Sequence, residues 1–462
     1  MAIQFPSKLL FASNFIKGAS PYRVFYRPSS NAAATSFFSP PPPSKQAQSP
    51  ITSPYVVRDK IYERDSLSNT PPSIIERTNR QLYLDTNHPL GILRNLIEKQ
   101  LGSSYSIVHA PNPIVTVEQN FDDLGFPSDH PGRSPSDSYY LNKTHMLRTH
   151  TSAHEIEAFK KHDRWLLTAD VYRRDEIDSS HYPAFHQVEC ADIVQVDKAY
   201  ESYTNRIKIL EQHLMHQNIV ISDDTKIGQS NPYQGNHDPR IVDVVLSHLK
   251  LTLNSLTLAL FGPALKATNA TEPLKIRWIE AQFPWTGPSY EVEVFWQNQW
   301  LEILGTGVLQ QATLDRSGRS DCIGWAFGLG LERIAMILFG IPDIRLFWST
   351  DPRFLSQFCA GQHSTFMPYS RHPACYKDIS FWCPSTSFHE NDFCEIVRDV
   401  AKDFVETVEL IDNFVHPKTN RKSLCYRINY RSMDRNLSNE EVNELHKKVS
   451  DQLVSDLDIE IR

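Results

Sequence analysis

Apolar residues recur along this chain with two periods, and the periods alternate. Residues 169–173 and 185–196 predict two strands, joined by a polar turn over 175–182. Side chains alternate faces along a strand, so Val171 and Arg173 share one face, and Gln187 and Glu189 share another. Strands are also predicted over 275–284, 289–296 and 300–309. Elsewhere the spacing is helical. Leu93, Leu96, Ile97 and Leu101 predict a helix over 90–101, and Pro71-Pro72-Ser73 opens a helical stretch to about Leu84. Tyr203, Ile207, Leu210 and Leu214 stripe a helix over 197–217, and another is predicted over 239–260. Between them, 222–236 is polar and contains glycine, which predicts a surface loop. Ser152 followed by Glu155 predicts a capping box for a helix over 153–161. Over 324–339, Gly328 and Gly330 are expected to open a helix with Arg333 in its first turn.

After a linker with Gly361 and Pro368 the rhythm changes. Strand 377–382, helix 391–405, hairpin 408–432 and helix 439–457 make a split βαβ pattern. Ser438 and Glu441 predict a capping box for the last helix. In the hairpin, Leu424, Tyr426, Ile428 and Tyr430 face one way, and Arg427 and Arg431 the other.

Composition narrows the class. The chain has 462 residues, enough for two or three domains, and 40% of them are hydrophobic. No apolar run reaches the ~18 residues that span a bilayer, so a soluble protein without a membrane partner is expected. Net charge is -7, so binding to nucleic acid requires a local patch. Lys418, Arg421, Lys422, Arg427, Arg431 and Arg435 form such a patch, or else an ordinary solvated face. The seven cysteines are odd in number and lack a Cys-x-x-Cys pair, which argues for a reducing compartment. His372, Cys375, Cys383, His389 and Cys394 cluster without the paired short spacing of a zinc site. Residues 1–58 contain no acid and carry Lys8, Lys17, Arg23, Arg27, Lys45 and Arg58 among serines, alanines and the run Pro40 to Pro43. This is the composition of a disordered organellar transit peptide, and it does not separate mitochondrion from plastid.

Candidate chemistry lies in two stretches. Arg173 ends a strand, where a guanidinium is a fixed fork for phosphate. Gln187 and Glu189 offer an amide and a carboxylate side by side, which suits an ammonium group. Gly328, Gly330 and Arg333 sit where a helix begins, and a helix N-terminus favours phosphate.

Together the two stretches resemble motifs 2 and 3 of class II aminoacyl-tRNA synthetases. Phe185-His186-Gln187-Val188-Glu189 and the run from Gly324 to Arg333 are similar to the single-chain organellar phenylalanyl-tRNA synthetases, and the resemblance runs from about Pro71 to Arg462. It implies an α+β fold: an antiparallel synthetase sheet with helices over 59–365, then a ferredoxin-like anticodon-binding domain over 369–462. Motif 1, the dimerisation motif, is hard to see, and a monomer is expected. The implied substrates are ATP, phenylalanine and tRNA(Phe), in a mitochondrion or chloroplast. The implied phenylalanine site is His150, Thr151, Ser152, Ala153, His154, Gln187, Val188, Glu189, Phe283, Trp285, Ala326 and Phe327. Trp285 departs from the family's Phe-Pro-Phe loop. The implied ATP site is Arg173, Ser180, His181, Tyr182, Phe185, Glu302, Gly330 and Arg333, with Arg173, Glu302 and Arg333 catalytic and Glu302 the ligand for Mg2+. The patch from Lys418 to Arg435 would meet tRNA. Two rivals use the same core: an enzyme that makes an acyl-adenylate without tRNA, and an RNA-binding relative without catalysis.

Overall fold

The computed structural model describes residues 53–462 apart from 111, 268–271, 363, 369–371 and 385–387. Most of the expected transit peptide lies outside the described residues. Its last part does not fit that reading: Tyr55–Val57 pairs with Lys60–Tyr62, and Tyr55 and Val57 are buried. The folded chain therefore begins before Asp59.

The centre is an eight-stranded sheet. In chain order its strands are β1 (Ser106–Val108), β2 (Arg164–Tyr172), β3 (Ala184–Gln195), β4 (Ile219–Asp223), β5 (Leu274–Phe283), β6 (Thr286–Trp296), β7 (Gln299–Leu309) and β8 (Cys322–Gly330). Their order across the sheet is β1-β2-β3-β8-β7-β6-β5-β4. The six inner strands are antiparallel, as expected, but β1 pairs with β2, and β4 with β5, in parallel. The sheet is thus mixed. β4 begins in the gap between the helix expected to 217 and the loop expected from 222, and only Ser222 and Asp223 fall inside that loop; on an edge of the sheet and mostly exposed, it has no alternating pattern.

Helices cover one face: α1 (Pro89–Leu101), α3 (Val196–Leu214), α4 (Pro239–Ala267) and α5 (Leu331–Phe339). They bury Leu166, Val188, Cys190, Trp325, Phe327 and Leu329 in the largest core. By length and composition α4 would also span a bilayer, but 67% of that window is buried in this fold. The opposite face carries Trp165, Leu167, Ala169, Ala191 and Ala326, packed with Phe159 of the short helix α2 (Glu155–Phe159).

Residues 324–330 are strand rather than helix entry; the helix starts only at Leu331, with Gly330 as its N-cap. Likewise the stretch from Pro72 is a six-residue helix, Pro72–Arg77, followed by a separate turn at Leu82–Leu84.

The C-terminal part has strands β9 (Cys375–Trp382), β10 (Val405–Val415), β11 (Lys422–Tyr430) and β12 (Glu460–Ile461) in the order β10-β11-β9-β12, with α6 (Glu390–Ala401) and α7 (Asn439–Leu457). Leu424, Tyr426, Ile428 and Tyr430 fill its core, and the Ser438–Glu441 capping box forms. The cluster of histidines and cysteines does not assemble. His372 bonds Asn436, His389 caps α6, Cys394 is buried, and all seven cysteines are free.

The turn between β2 and β3 is held by this C-terminal part. Ile177 belongs to its core, and Val408 N–H donates to the Ile177 carbonyl at 3.0 Å. Arg345 is buried and paired with Asp343 at 2.8 Å. It donates to the carbonyls of Asp403, Val405 and Arg431 at 3.0, 3.1 and 3.1 Å. A buried guanidinium is tolerable only when its donors are satisfied in this way.

Candidate active site

The register of the sheet brings the two signature stretches onto one face. Gln187 lies opposite Gly330, Glu189 opposite Gly328, and Ala191 opposite Ala326. Gly328 and Ala326 lie in turn opposite Gly305 and Gly307, and Glu291 lies opposite Gly305. Residues directly opposite share a face. Acids and an amide therefore stand around a floor of glycine. Glu291 escaped the sequence reading because nothing local distinguishes it from any other acid on a strand.

The floor is flat for a reason. A Cβ on Gly305 would come within 2.8 Å of Cζ of Phe283, so the ring of Phe283 lies directly over that backbone. Phe283 stacks on Trp285 with centroids 5.7 Å apart. Trp285 stacks on His150 at 5.7 Å, and His150 on Phe126 at 5.5 Å with planes 4° apart. Phe283, Trp285, His150 and Phe126 thus form one aromatic wall. Phe126 carries no motif and no strand or helix period of its own in the sequence. Burial and the nearby charge of Arg173 lower the His150 imidazole to about 3, so it is neutral.

The polar end is tied to the loop before α2. Thr151 N–H donates to Gln187 Oε1 at 3.2 Å, and Ser152 is buried beside it. Arg173 donates from Nε to the Thr149 carbonyl at 2.8 Å, and its guanidinium carbon lies 5.9 Å from the centre of the Phe185 ring. Arg333 projects from the first turn of α5, with Nη1 3.9 Å from Glu302 Oε2. The Glu302 side chain is 11% exposed. A bulge in the β6–β7 pairing skips one residue at Ile303, so Glu302 faces Glu293.

Several expected site residues lie elsewhere. Val188 and Phe327 point to the other face and are buried in the helix-covered core, because they alternate with Gln187, Glu189 and Ala326. Ala153 packs with Val115, Phe121 and Met146. His154 contacts Arg148 at 3.1 Å. Ser180 and His181 lie in the turn between β2 and β3, and Tyr182 reaches the C-terminal part. Ser180 and His181 bond Asp178, which raises the His181 imidazole to about 9 against the cost of its burial. Tyr182 donates to Asp403 at 2.7 Å and stacks on Trp348. The capping box also fails. Ser152 makes no cap bond, and Glu155 turns inward, fully buried.

Two family profiles match the chain: "tRNA synthetases class II core domain (F)" over residues 75–220 and 240–358, and "Ferredoxin-fold anticodon binding domain" over 370–462. A mitochondrial phenylalanine–tRNA ligase of Saccharomyces cerevisiae is 48% identical over 431 residues, covering 86% of this chain and 92% of its own. A chloroplastic/mitochondrial phenylalanine–tRNA ligase of Arabidopsis thaliana is 43% identical, with 87% and 85% covered. The mitochondrial enzyme of Mus musculus is 40% identical, with 87% and 88% covered. The chain belongs to the phenylalanine–tRNA ligases of class II.

In the anticodon-binding domain of this ligase the expected basic patch is largely paired. Arg427 grips Asp378 at 2.8 Å through two nitrogens, and Arg431 bonds Glu406 at 2.6 Å. Arg421 pairs with Glu460 at 2.6 Å, and Arg435 with Glu441 at 2.9 Å. Lys418 and Lys422 are exposed. The half-exposed rings of Trp382, Phe414 and His416 gather at one end of the sheet, with centroids 6.1 to 6.3 Å apart. Arg421 and Arg462 lie over Trp382 at 5.0 and 5.5 Å. The sequence hid this group because its members sit on or beside four separate strands.

Proposed function

We propose that this ligase carries out its two-step reaction on the face that joins Gln187 and Glu189 to Gly328 and Gly330, within a catalytic domain running from about Tyr55 to 365 and beside a tRNA-binding domain over 369–462. The observation that carries the reading is the shared register of the two motifs: a carboxylate and an amide stand over glycine, an aromatic wall stands at one side, and an arginine stands at each end.

Phenylalanine lies with its ammonium at Glu189 and Gln187, its polar end near His150 and Ser152, and its ring against Phe283 and Trp285. Phe185 stacks on the adenine of ATP. The carboxylate oxygen of phenylalanine attacks the α-phosphorus, and the bond to the β-phosphate oxygen breaks, releasing pyrophosphate. Negative charge grows on the α-phosphate oxygens, and Arg173 meets it; Arg333 holds the far end of the triphosphate. The hydroxyl of the terminal tRNA ribose then attacks the acyl carbon, and AMP leaves. Positioning and charge neutralisation suffice, without a protein base on the acyl carbon. Glu302, a carboxylate beside the triphosphate arginine, suits a hard cation, and Mg2+ held there would neutralise triphosphate oxygens.

Trp382, Phe414 and His416 offer stacking faces for unpaired tRNA bases, and base stacking on an aromatic side chain contributes roughly 1–3 kcal/mol. The test is phenylalanine-dependent pyrophosphate exchange measured with and without tRNA, alongside charging of tRNA. Exchange without tRNA and charging with it are expected. Trp382→Ala should keep exchange and weaken charging about tenfold or more through KM for tRNA. Exchange without any charging would favour the tRNA-independent adenylate maker, and absence of both would favour the non-catalytic relative. Relatives act in mitochondria or in both organelles by their names. Residues 1–55 fused to a fluorescent protein should accordingly enter an organelle, and a cytosolic signal would refute that address.

A further inference from the structure

Glu155 has no part in the reaction above, yet it is among the most deeply buried acids in the fold. It opens α2, is wholly buried, and its carboxyl faces that of Glu189 within hydrogen-bonding range. Glu189 is itself only 3% exposed. Both oxygens of Glu155 and Oε2 of Glu189 are buried without a hydrogen-bond donor. The hydroxyls of Thr151 and Ser152 serve Glu189.

Two carboxylates here would put two like charges in one dry space and leave three acceptor oxygens unpaired. Both are costly. A single proton held between the acids removes the like-charge repulsion and pairs two of the three oxygens. It makes an O–H···O bond to a charged acceptor, which is among the stronger hydrogen bonds. The surroundings decide which acid keeps it. Burial and the charge of Glu189 hold the Glu155 carboxyl well above the usual range. Glu189 is also raised by burial, but the hydroxyls and Glu155 favour its ionised form. Of the other titratable groups on these elements, Glu157 is exposed, Asp192 is paired with Arg206 and His186 bonds Glu332, while those nearest the pair add no charge. His150 and His154 are lowered to about 3, and burial pushes the Cys190 thiol up.

We propose that Glu155 is a positioning residue, a neutral carboxylic acid that donates an O–H hydrogen bond to Glu189 and so fixes the one carboxylate that receives the ammonium group of the amino acid. The proposal rests on the reading of Glu189 as the ammonium acceptor. The charges then balance in the complex: one ammonium meets one carboxylate, and the acid behind it keeps its proton. An ionised Glu155 would leave a net negative charge buried beneath the substrate.

The test compares Glu155→Ala, Glu155→Gln and Glu189→Gln by pyrophosphate exchange, with thermal midpoints as a check on folding. Glu155→Ala should raise KM for phenylalanine about tenfold or more, with KM for ATP little changed, since one charge-assisted hydrogen bond is lost. Glu155→Gln should recover most of that loss, because its amide N–H replaces the acid O–H. Glu189→Gln should be the most damaging of the three. Calorimetry of phenylalanine binding at pH 7, in buffers of different ionisation enthalpy, should show no net proton exchanged. Equal damage from Glu155→Gln and Glu189→Gln, release of about one proton on binding, or an undamaged Glu155→Ala would each overturn the neutral-acid reading. An undamaged Glu189→Gln would instead refute the ammonium site on which it rests.

Discussion

Arg173→Lys is expected to lower the rate of phenylalanyl-adenylate formation by about 10²–10³-fold while leaving the fold intact. The geometry says why lysine is no substitute. Nε of Arg173 is committed to the Thr149 carbonyl at 2.8 Å, which orients the guanidinium beside the Phe185 ring. The guanidinium is thereby held beside Phe185, the ring proposed to stack on adenine, at the end of the β2–β3 pair. A lysine ammonium has no second anchor of this kind and is a point charge on a flexible stem. It would satisfy the carbonyl or the phosphate, but not both in one fixed geometry. Because the lost interaction is strongest in the transition state, the deficit should fall on kcat more than on KM for ATP. Arg173 is only half-buried, so the thermal midpoint should move little. Exchange at close to the wild-type rate in the lysine variant would remove Arg173 from the chemistry.

Legibility in the sequence followed the range of the interaction that fixed each feature. The Ser438–Glu441 box and the stripe of β11 depend on neighbours three or two residues away, and both form as read. Ser152–Glu155 carries the same local signal, but a buried partner on β3 decides the outcome, and Glu155 turns inward. Gly328 and Gly330 read as a helix entry because they precede a helical run. They belong to a strand because β3 pairs with both of them and β7 pairs with Gly328 from the other side. The basic patch was read from one strand and its flanks, whereas its neutralising acids lie far off in sequence: Asp378 for Arg427, and Glu460 for Arg421. Tyr182 and His181 were assigned to the nucleotide by resemblance, while Asp403, on the far side of the chain, holds Tyr182. Gln187 and Glu189 share one face of β3 as read, because the alternation of that strand alone sets it.

Ala326→Gly is expected to raise the para-chlorophenylalanine to phenylalanine ratio of exchange efficiencies about tenfold or more, a gain within what one methyl in an apolar pocket controls. The argument is one of length. Glu189 lies opposite Gly328, and Ala326 is two residues further along the same face of β8. Two residues of strand advance about 6.6 Å, roughly the reach from the Cα of phenylalanine to the tip of its ring. With the ammonium at Glu189 and the ring along the wall of Phe283 and Trp285, the para carbon arrives over Ala326. The methyl there is 3% exposed and backed by Phe159, Trp165 and Leu167, so it cannot retreat from a larger substituent. An apolar floor of this kind rejects the tyrosine hydroxyl only by leaving it unpaired, which limits discrimination to roughly 10²-fold and makes measurable activation of tyrosine the expected companion result. Glycine opens the floor at a stability cost of about 1–2 kcal/mol, from the lost methyl and the freer backbone. If Ala326 does no more than pack against Phe159 and Trp165, the variant will lose activity toward both substrates alike. The ratio will then stay at its wild-type value, and the ring pocket must end elsewhere.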